Sequence, residues 1–250
     1  MNLLTAAAIL AIVHLVSGAA FIRLPARERT LRFLVSFSAG TLLAMSLVHL
    51  LPESALHTGG GSGLAVLAGF FALWALEHLV GRHEHVDDVH KHGEHEPATG
   101  LSVLASLVLI LHGFIDGLAL AAFEHHEGWA LTALLGLAAH APAMMLALVT
   151  LLRLAGMATG PMLGVIAVTS FTIPAGALAA NGGPFSHLAG NIAWFEAAVG
   201  GALIYLSTHH LLPAVEHNKR DRLALYAAAL AGAVLAVLLA GLHGGEGHHH

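Results

Sequence analysis

The chain has 250 residues, 57% hydrophobic and only 10% charged, with a mean hydropathy of +0.78. That composition excludes an ordinary soluble domain and leaves an all-α, polytopic membrane protein. A net charge of −5 with neutral histidines argues against nucleic-acid partners, which need a basic face. With no cysteine and 21 histidines, any metal chemistry must draw on His, Asp, Glu, Met or backbone oxygens.

Apolar runs of the roughly 20 residues needed to cross a bilayer fall near 3–22, 31–51, 63–81, 100–123, 129–152, 158–180, 188–211 and 222–242. The spacing predicts eight spans in one transmembrane domain covering 1–250. The first run, opening MNLLTAAAILAIVHL, lacks the positive region of a cleavable signal and reads as a span. Polar or Gly/Pro-rich joints separate the runs: RLPARER, HTGGGSG, the stretch 83–96, EHHEG, AGMATGP, NGGPFS and EHNKRDR. The terminal HHH resembles a tag remnant and carries no weight.

All ten Lys and Arg residues flank the first, third, fifth and seventh joints. Because basic residues stay cytoplasmic, both termini are expected outside and the 83–96 loop in the cytoplasm. Span 2 ends SAGTLLAMSLVHLLPES and span 7 ends VGGALIYLSTHHLLPAV. Aligning His49 with His210 also pairs Gly40 with Gly201, Leu42 with Leu203, Ser46 with Ser207 and Pro52 with Pro213. The two spans run in opposite directions, which predicts an inverted repeat of spans 1–3 and 6–8 around central spans 4–5. Chance agreement of two Leu/Gly-rich helices is the competing reading.

The sharpest signal is His112 and Asp116 in LILHGFIDGLALAAF. Four residues apart, they share one helix face. Asp116 is the sole aspartate in any expected span, and a charge at that depth is costly enough to imply a partner, a cavity or an ion path. His140 on span 5 lies 11 residues after Trp129, and His112 lies 12 before Glu124, so their depths nearly coincide. Pro142 loosens the helix beside His140, and Met144 is one turn on as a soft ligand. His112, Asp116, His140 and Met144 would suit a divalent transition metal. Taken alone, His140 could serve only as an interhelical hydrogen-bonding group, and Met144 as packing.

Other polar positions line both faces. His49, Glu53, His57, Glu124, His125, His126 and Glu127 lie toward the outside, an entrance for cations. Glu77, His78, His209, His210, Glu216 and His217 lie toward the inside, an exit; ordinary polar helix ends are the plainer alternative. Glu196 in span 7 has no positive neighbour in sequence, so it is either protonated and hydrogen-bonded or near the outer interface. The loop carries His83, His85, His90, His92 and His95 among five acids, a composition that buffers metal loosely or is simply solvated.

These residues resemble the ZIP family of divalent metal transporters. The resemblance rests on the eight spans with both termini outside, the His-rich loop between spans 3 and 4, AGTLLAMSLVHLLPE in span 2 and HGFIDGLALAAF in span 4. It implies uptake of a divalent metal, zinc first and iron, manganese or cadmium next, into the cytoplasm through a site on spans 4 and 5. It also implies movement of spans 1, 4, 5 and 6 against 2, 3, 7 and 8. The location would be a plasma or inner membrane, with metal ions and lipids as partners and a homodimer as an open option. The chain departs from the family where Gly113 stands for the usual Asn of span 4. It departs again where Ala139-His140-Ala141-Pro142-Ala143-Met144 stands for a His/Glu-rich span-5 motif, and where Ile173 rather than a carboxylate precedes Pro174. Much of a two-metal centre is missing, which points to a mononuclear site or altered selectivity. Two other classes compete: an intramembrane zinc-dependent hydrolase, although there is no HExxH motif or nucleophile elbow, and a ZIP-fold protein with a non-metal or sensing role.

Overall fold

The computed structural model describes residues 2–24, 27–81, 99–122, 129–180, 191–213 and 221–244, and these residues form helices without strands. In chain order they are α1 (Leu3–Ile22), α2 (Glu28–Met45), α3 (Leu51–Thr58), α4 (Ser62–Gly81), α5 (Thr99–Ala122), α6 (Trp129–Leu154), α7 (Thr159–Ala180), α8 (Ile192–Tyr205) and α9 (Arg222–Gly244). Leu3–Ile22, Arg29–Leu79, Leu134–Leu154 and Thr159–Ala180 are long and apolar enough to cross a membrane, and Ser106–Ala121 and Arg222–Leu238 are shorter apolar helices. The described residues are therefore all helical, with several membrane-compatible spans. The loop histidines His83, His85, His90, His92 and His95 lie outside the described residues, as do Glu124, His125, His126, Glu127, Glu216 and His217.

Local chemistry sets the helix ends. At α1, the Asn2 side chain accepts from the Thr5 backbone N–H at 2.8 Å, satisfying a donor that helix geometry leaves open. The second expected run does not stop at 51. It passes through a π-helical turn, Ser46–Leu50, and continues as α3 to Thr58. Pro52 is the cause: it offers no N–H and its ring collides with the carbonyl four residues back, so the helix widens ahead of it. The Leu51 N–H consequently reaches the Ser46 carbonyl. The same device recurs ahead of Pro213, where the π turn Leu206–Leu211 follows α8 and the Leu212 N–H reaches the Ser207 carbonyl. Gly59, with φ of 61°, then ends α3 in the left-handed region that favours glycine.

Glycines let three helix pairs meet backbone to backbone. A Cβ at Gly40 would fall 1.8 Å from the Ala229 carbonyl oxygen, joining α2 to α9, and one at Gly201 would fall 1.9 Å from the Val66 oxygen, joining α8 to α4. Gly117 and Gly176 seal α5 against α7, with the Ile173 and Phe114 carbonyl oxygens each 2.1 Å from the would-be Cβ. Such close approach replaces the hydrophobic drive that lipid cannot supply. Arg153, at the end of α6, donates to the Ile22 carbonyl and, at 3.0 Å, to that of Leu24, while Arg29 pairs with Asp221 at 3.2 Å. These bonds gather the ends of α1 and α6, and the starts of α2 and α9, at one arginine-bearing end of the bundle.

Candidate metal centre

Three side chains converge in the interior. His112 and Asp116 stand one turn apart on α5, and His140 projects from α6. His112 Nε2 lies 3.7 Å from Asp116 Oδ1, and His140 Nε2 lies 3.5 Å from Asp116 Oδ2. One ligand atom from each of the three residues falls within 4.8 Å of the others, and all three residues are buried. The α5 pair keeps its helical register because the glycine seam fixes α5 against α7. The helix carrying His140 passes through Pro142 without losing helical structure.

The separations are informative. They are too long for good hydrogen bonds. They are close to the edge of a tetrahedron, about 3.3 Å when zinc–ligand bonds are about 2.0–2.1 Å. Asp116 Oδ2 and both ring nitrogens of His140 are buried without a hydrogen-bond partner among the described residues. Buried polar atoms left in that state are expensive, so this donor set fits a cation bound among them. One carboxylate and two imidazoles form the mixed N/O set that first-row divalent ions accept. Met144, one turn beyond His140, is buried in the main apolar cluster with Met145, Leu148 and Ile166.

His49 and Glu53 sit nearer to this centre than their assignment to the outer rim implied. The helix continues to Thr58, so His49 lies well within it, on the π turn, with its ring 6.4 Å from that of His140. His49 Nδ1 is 3.4 Å from Glu53 Oε2. Glu196 on α8 is half-buried, within electrostatic range of Glu53 and Asp116. It therefore belongs to an acidic flank of the centre, a placement that its sequence neighbours did not indicate.

A second cluster forms across helices. Glu77 Oε2 accepts from the Tyr205 hydroxyl at 2.6 Å and lies 2.8 Å from His210 Nε2. The Tyr205 ring stacks on His209 at 5.0 Å. Glu77, His209 and His210 also offer ligand atoms within 4.8 Å of one another, in a more exposed setting. Sequence reasoning missed Tyr205, whose hydroxyl orients the carboxylate, and it missed His14 on α1. His14 is fully buried and in electrostatic range of Asp116, His140 and His112. A lone histidine at similar depth in the first span was the signal available.

A family model described as ZIP zinc transporter matches residues 1–106 and 82–240. The chain belongs to the ZIP zinc transporter family. As a ZIP protein it is a multi-pass membrane transporter of metal, a class to which its apolar helices conform. Comparison with individually curated proteins returned no match. Within the ZIP frame, Gly113 has a local cause: a Cβ there would fall 2.6 Å from Thr172 Oγ1 and 3.3 Å from the Thr169 carbonyl oxygen. The α5–α7 contact is tight there, so Thr172 or its surroundings must shift to admit a larger side chain.

Proposed function

We propose that this ZIP protein carries a divalent transition metal into the cytoplasm, one ion at a time, through His112, Asp116 and His140. Zinc is the first candidate, with iron, manganese and cadmium next. The convergence of three buried ligands with unpartnered polar atoms carries this reading. Two neutral imidazoles and one carboxylate leave a bound divalent ion with net positive charge and open positions for water. That limits affinity and favours release, as a carrier requires. The closed α5–α7 seam supports a mononuclear site, because Gly113 and Ile173 stand where the family has further ligands.

In this reading His49 and Glu53, with Glu124, His125 and His126, collect the ion. His209 and His210, assisted by Glu77 and followed by Glu216, discharge it. The loop histidines His83, His85, His90, His92 and His95 buffer it in the cytoplasm. Eight spans with both termini outside and an inverted repeat complete the architecture. The repeat is supported by the matched π turns before Pro52 and Pro213. It is supported again by the reciprocal packing of α2 on α9 and α8 on α4 through the paired Gly40 and Gly201.

Uptake of Zn²⁺, Fe²⁺, Mn²⁺ and Cd²⁺ into proteoliposomes tests the proposal. The wild-type chain is expected to move at least one ion, and His112→Ala and Asp116→Ala are expected to abolish that flux. Flux unaffected by both substitutions overturns it. Metal binding without flux, accompanied by hydrolysis of a lipid or peptide, would replace it with the hydrolase reading.

A further inference from the structure

His14 lies outside the three-residue set, and its environment is hard to explain as packing. It sits in the middle of α1, fully buried. Its Nδ1 is 2.9 Å from the Leu10 carbonyl oxygen. A carbonyl only accepts, so Nδ1 carries the proton and the neutral ring presents a lone pair at Nε2. That Nε2 is buried and has no hydrogen-bond partner among the described residues. An apolar side chain would fill the same space without leaving a polar atom unsatisfied. A histidine with one ring nitrogen tied to a backbone carbonyl and the other bare has the usual arrangement of a metal-ligating imidazole.

The groups in electrostatic range of His14 are those of the proposed centre: Asp116, His140 and His112. Its level along the bundle is close to that of His112: Gly18 abuts Ile166 and Leu10 shares a cluster with Ile173, which sets His14 opposite the middle of α7, and Gly113, next to His112, meets Thr169 and Thr172 of that same stretch.

We infer that His14 Nε2 is a further metal ligand, a position on α1 that receives a divalent ion from His112, Asp116 and His140. The inference rests on the transport reading above and extends it to the first span. Three helices then contribute to the path: α5 and α6 hold the ion, and α1 closes on it from a third side. The position needs no second carboxylate, because Asp116 remains close enough to offset part of the charge.

The chain has no cysteine, so His14→Cys introduces its single thiol. The purified full-length variant is titrated with Co²⁺ and with Cd²⁺. A thiolate-to-metal charge-transfer band is expected in the ultraviolet, at longer wavelength for Co²⁺ than for Cd²⁺, because only a sulfur touching the ion produces one. In proteoliposomes, His14→Gln should lower uptake about tenfold or more, and His14→Cys should recover part of the Cd²⁺ flux. If the band is absent while the wild type binds and moves metal, or if His14→Gln transports normally, the inference is overturned. A reduced flux in both variants without the band assigns His14 a packing role and overturns it equally. Failure of the transport reading looks different: the wild type moves no metal, or His112→Ala and Asp116→Ala leave uptake intact.

Discussion

The rings of His49 and His140 lie 6.4 Å apart, although one stands on a π turn of the second membrane run and the other on α6. That distance brings the proposed entrance group and the proposed central group within reach of one shared ion or one bridging water. His49→Ala is expected to raise the KM for Zn²⁺ uptake roughly tenfold, on the scale of losing a supporting ligand, with a smaller change in maximal rate. Asp116→Ala should instead abolish uptake. Concentration-dependent flux in proteoliposomes separates the two, and a fall in maximal rate alone at His49 would remove it from the entrance.

Pro52 controls where His49 points. Pro52→Ala restores an N–H, allows α2 and α3 to wind without the π turn, and rotates His49 by about 100° around the helix axis, one residue's worth. Uptake by this variant should show the same raised KM as His49→Ala. The double substitution should add little, because both act on one contact.

The α5–α7 seam yields a graded prediction in stability. Gly113→Ala pushes a methyl toward Thr172 Oγ1, a hydroxyl already donating to the Thr169 carbonyl at 2.6 Å, and should cost about 1–3 kcal/mol. Gly117→Ala meets the Ile173 backbone oxygen, which cannot rotate away, and should cost more. Thermal unfolding of the purified chain in detergent measures both. Gly113→Asn should also be destabilising, and it should not raise the number of ions bound at the centre.

Tyr205→Phe deletes the hydroxyl that donates to Glu77 at 2.6 Å. The loss should lower stability by about 1 kcal/mol, near the middle of the range for a single hydrogen bond in a part-exposed setting. It should also slow ion release, since Glu77 is then free to bind metal more tightly. Maximal uptake should fall while KM holds, and an unchanged maximal rate would separate the Glu77 cluster from the exit path.

Much of the centre was legible in the sequence because helix geometry is regular. The four-residue spacing of His112 and Asp116, and the depth arithmetic that added His140, needed only a constant rise per residue. The same regularity misled at the second run, expected to end near residue 51, which instead passes through a widened turn ahead of Pro52 and continues to Thr58. His49 therefore sits deeper than expected. The Glu77, Tyr205 and His210 cluster joins α4 to α8 and its π turn, and no spacing rule links residues 128 and 133 positions apart. His14 has no ionisable neighbour in its own span, so its significance depended on which helices surround it.

The glycine seams divide the bundle by stiffness. Where backbones touch, as α5 and α7 do at Gly117 and Gly176, sliding would drive carbonyl oxygens into neighbouring chain, so the pair behaves as one beam. None of the three seams includes α6, which packs through Met144, Met145, Leu148 and Leu152, side chains that can re-settle at small cost. On the proposed reading, an ion held by Asp116 on the beam and His140 on the pliable helix would span a mechanical joint. Its arrival would tighten that joint and its departure slacken it, making cargo and hinge the same object.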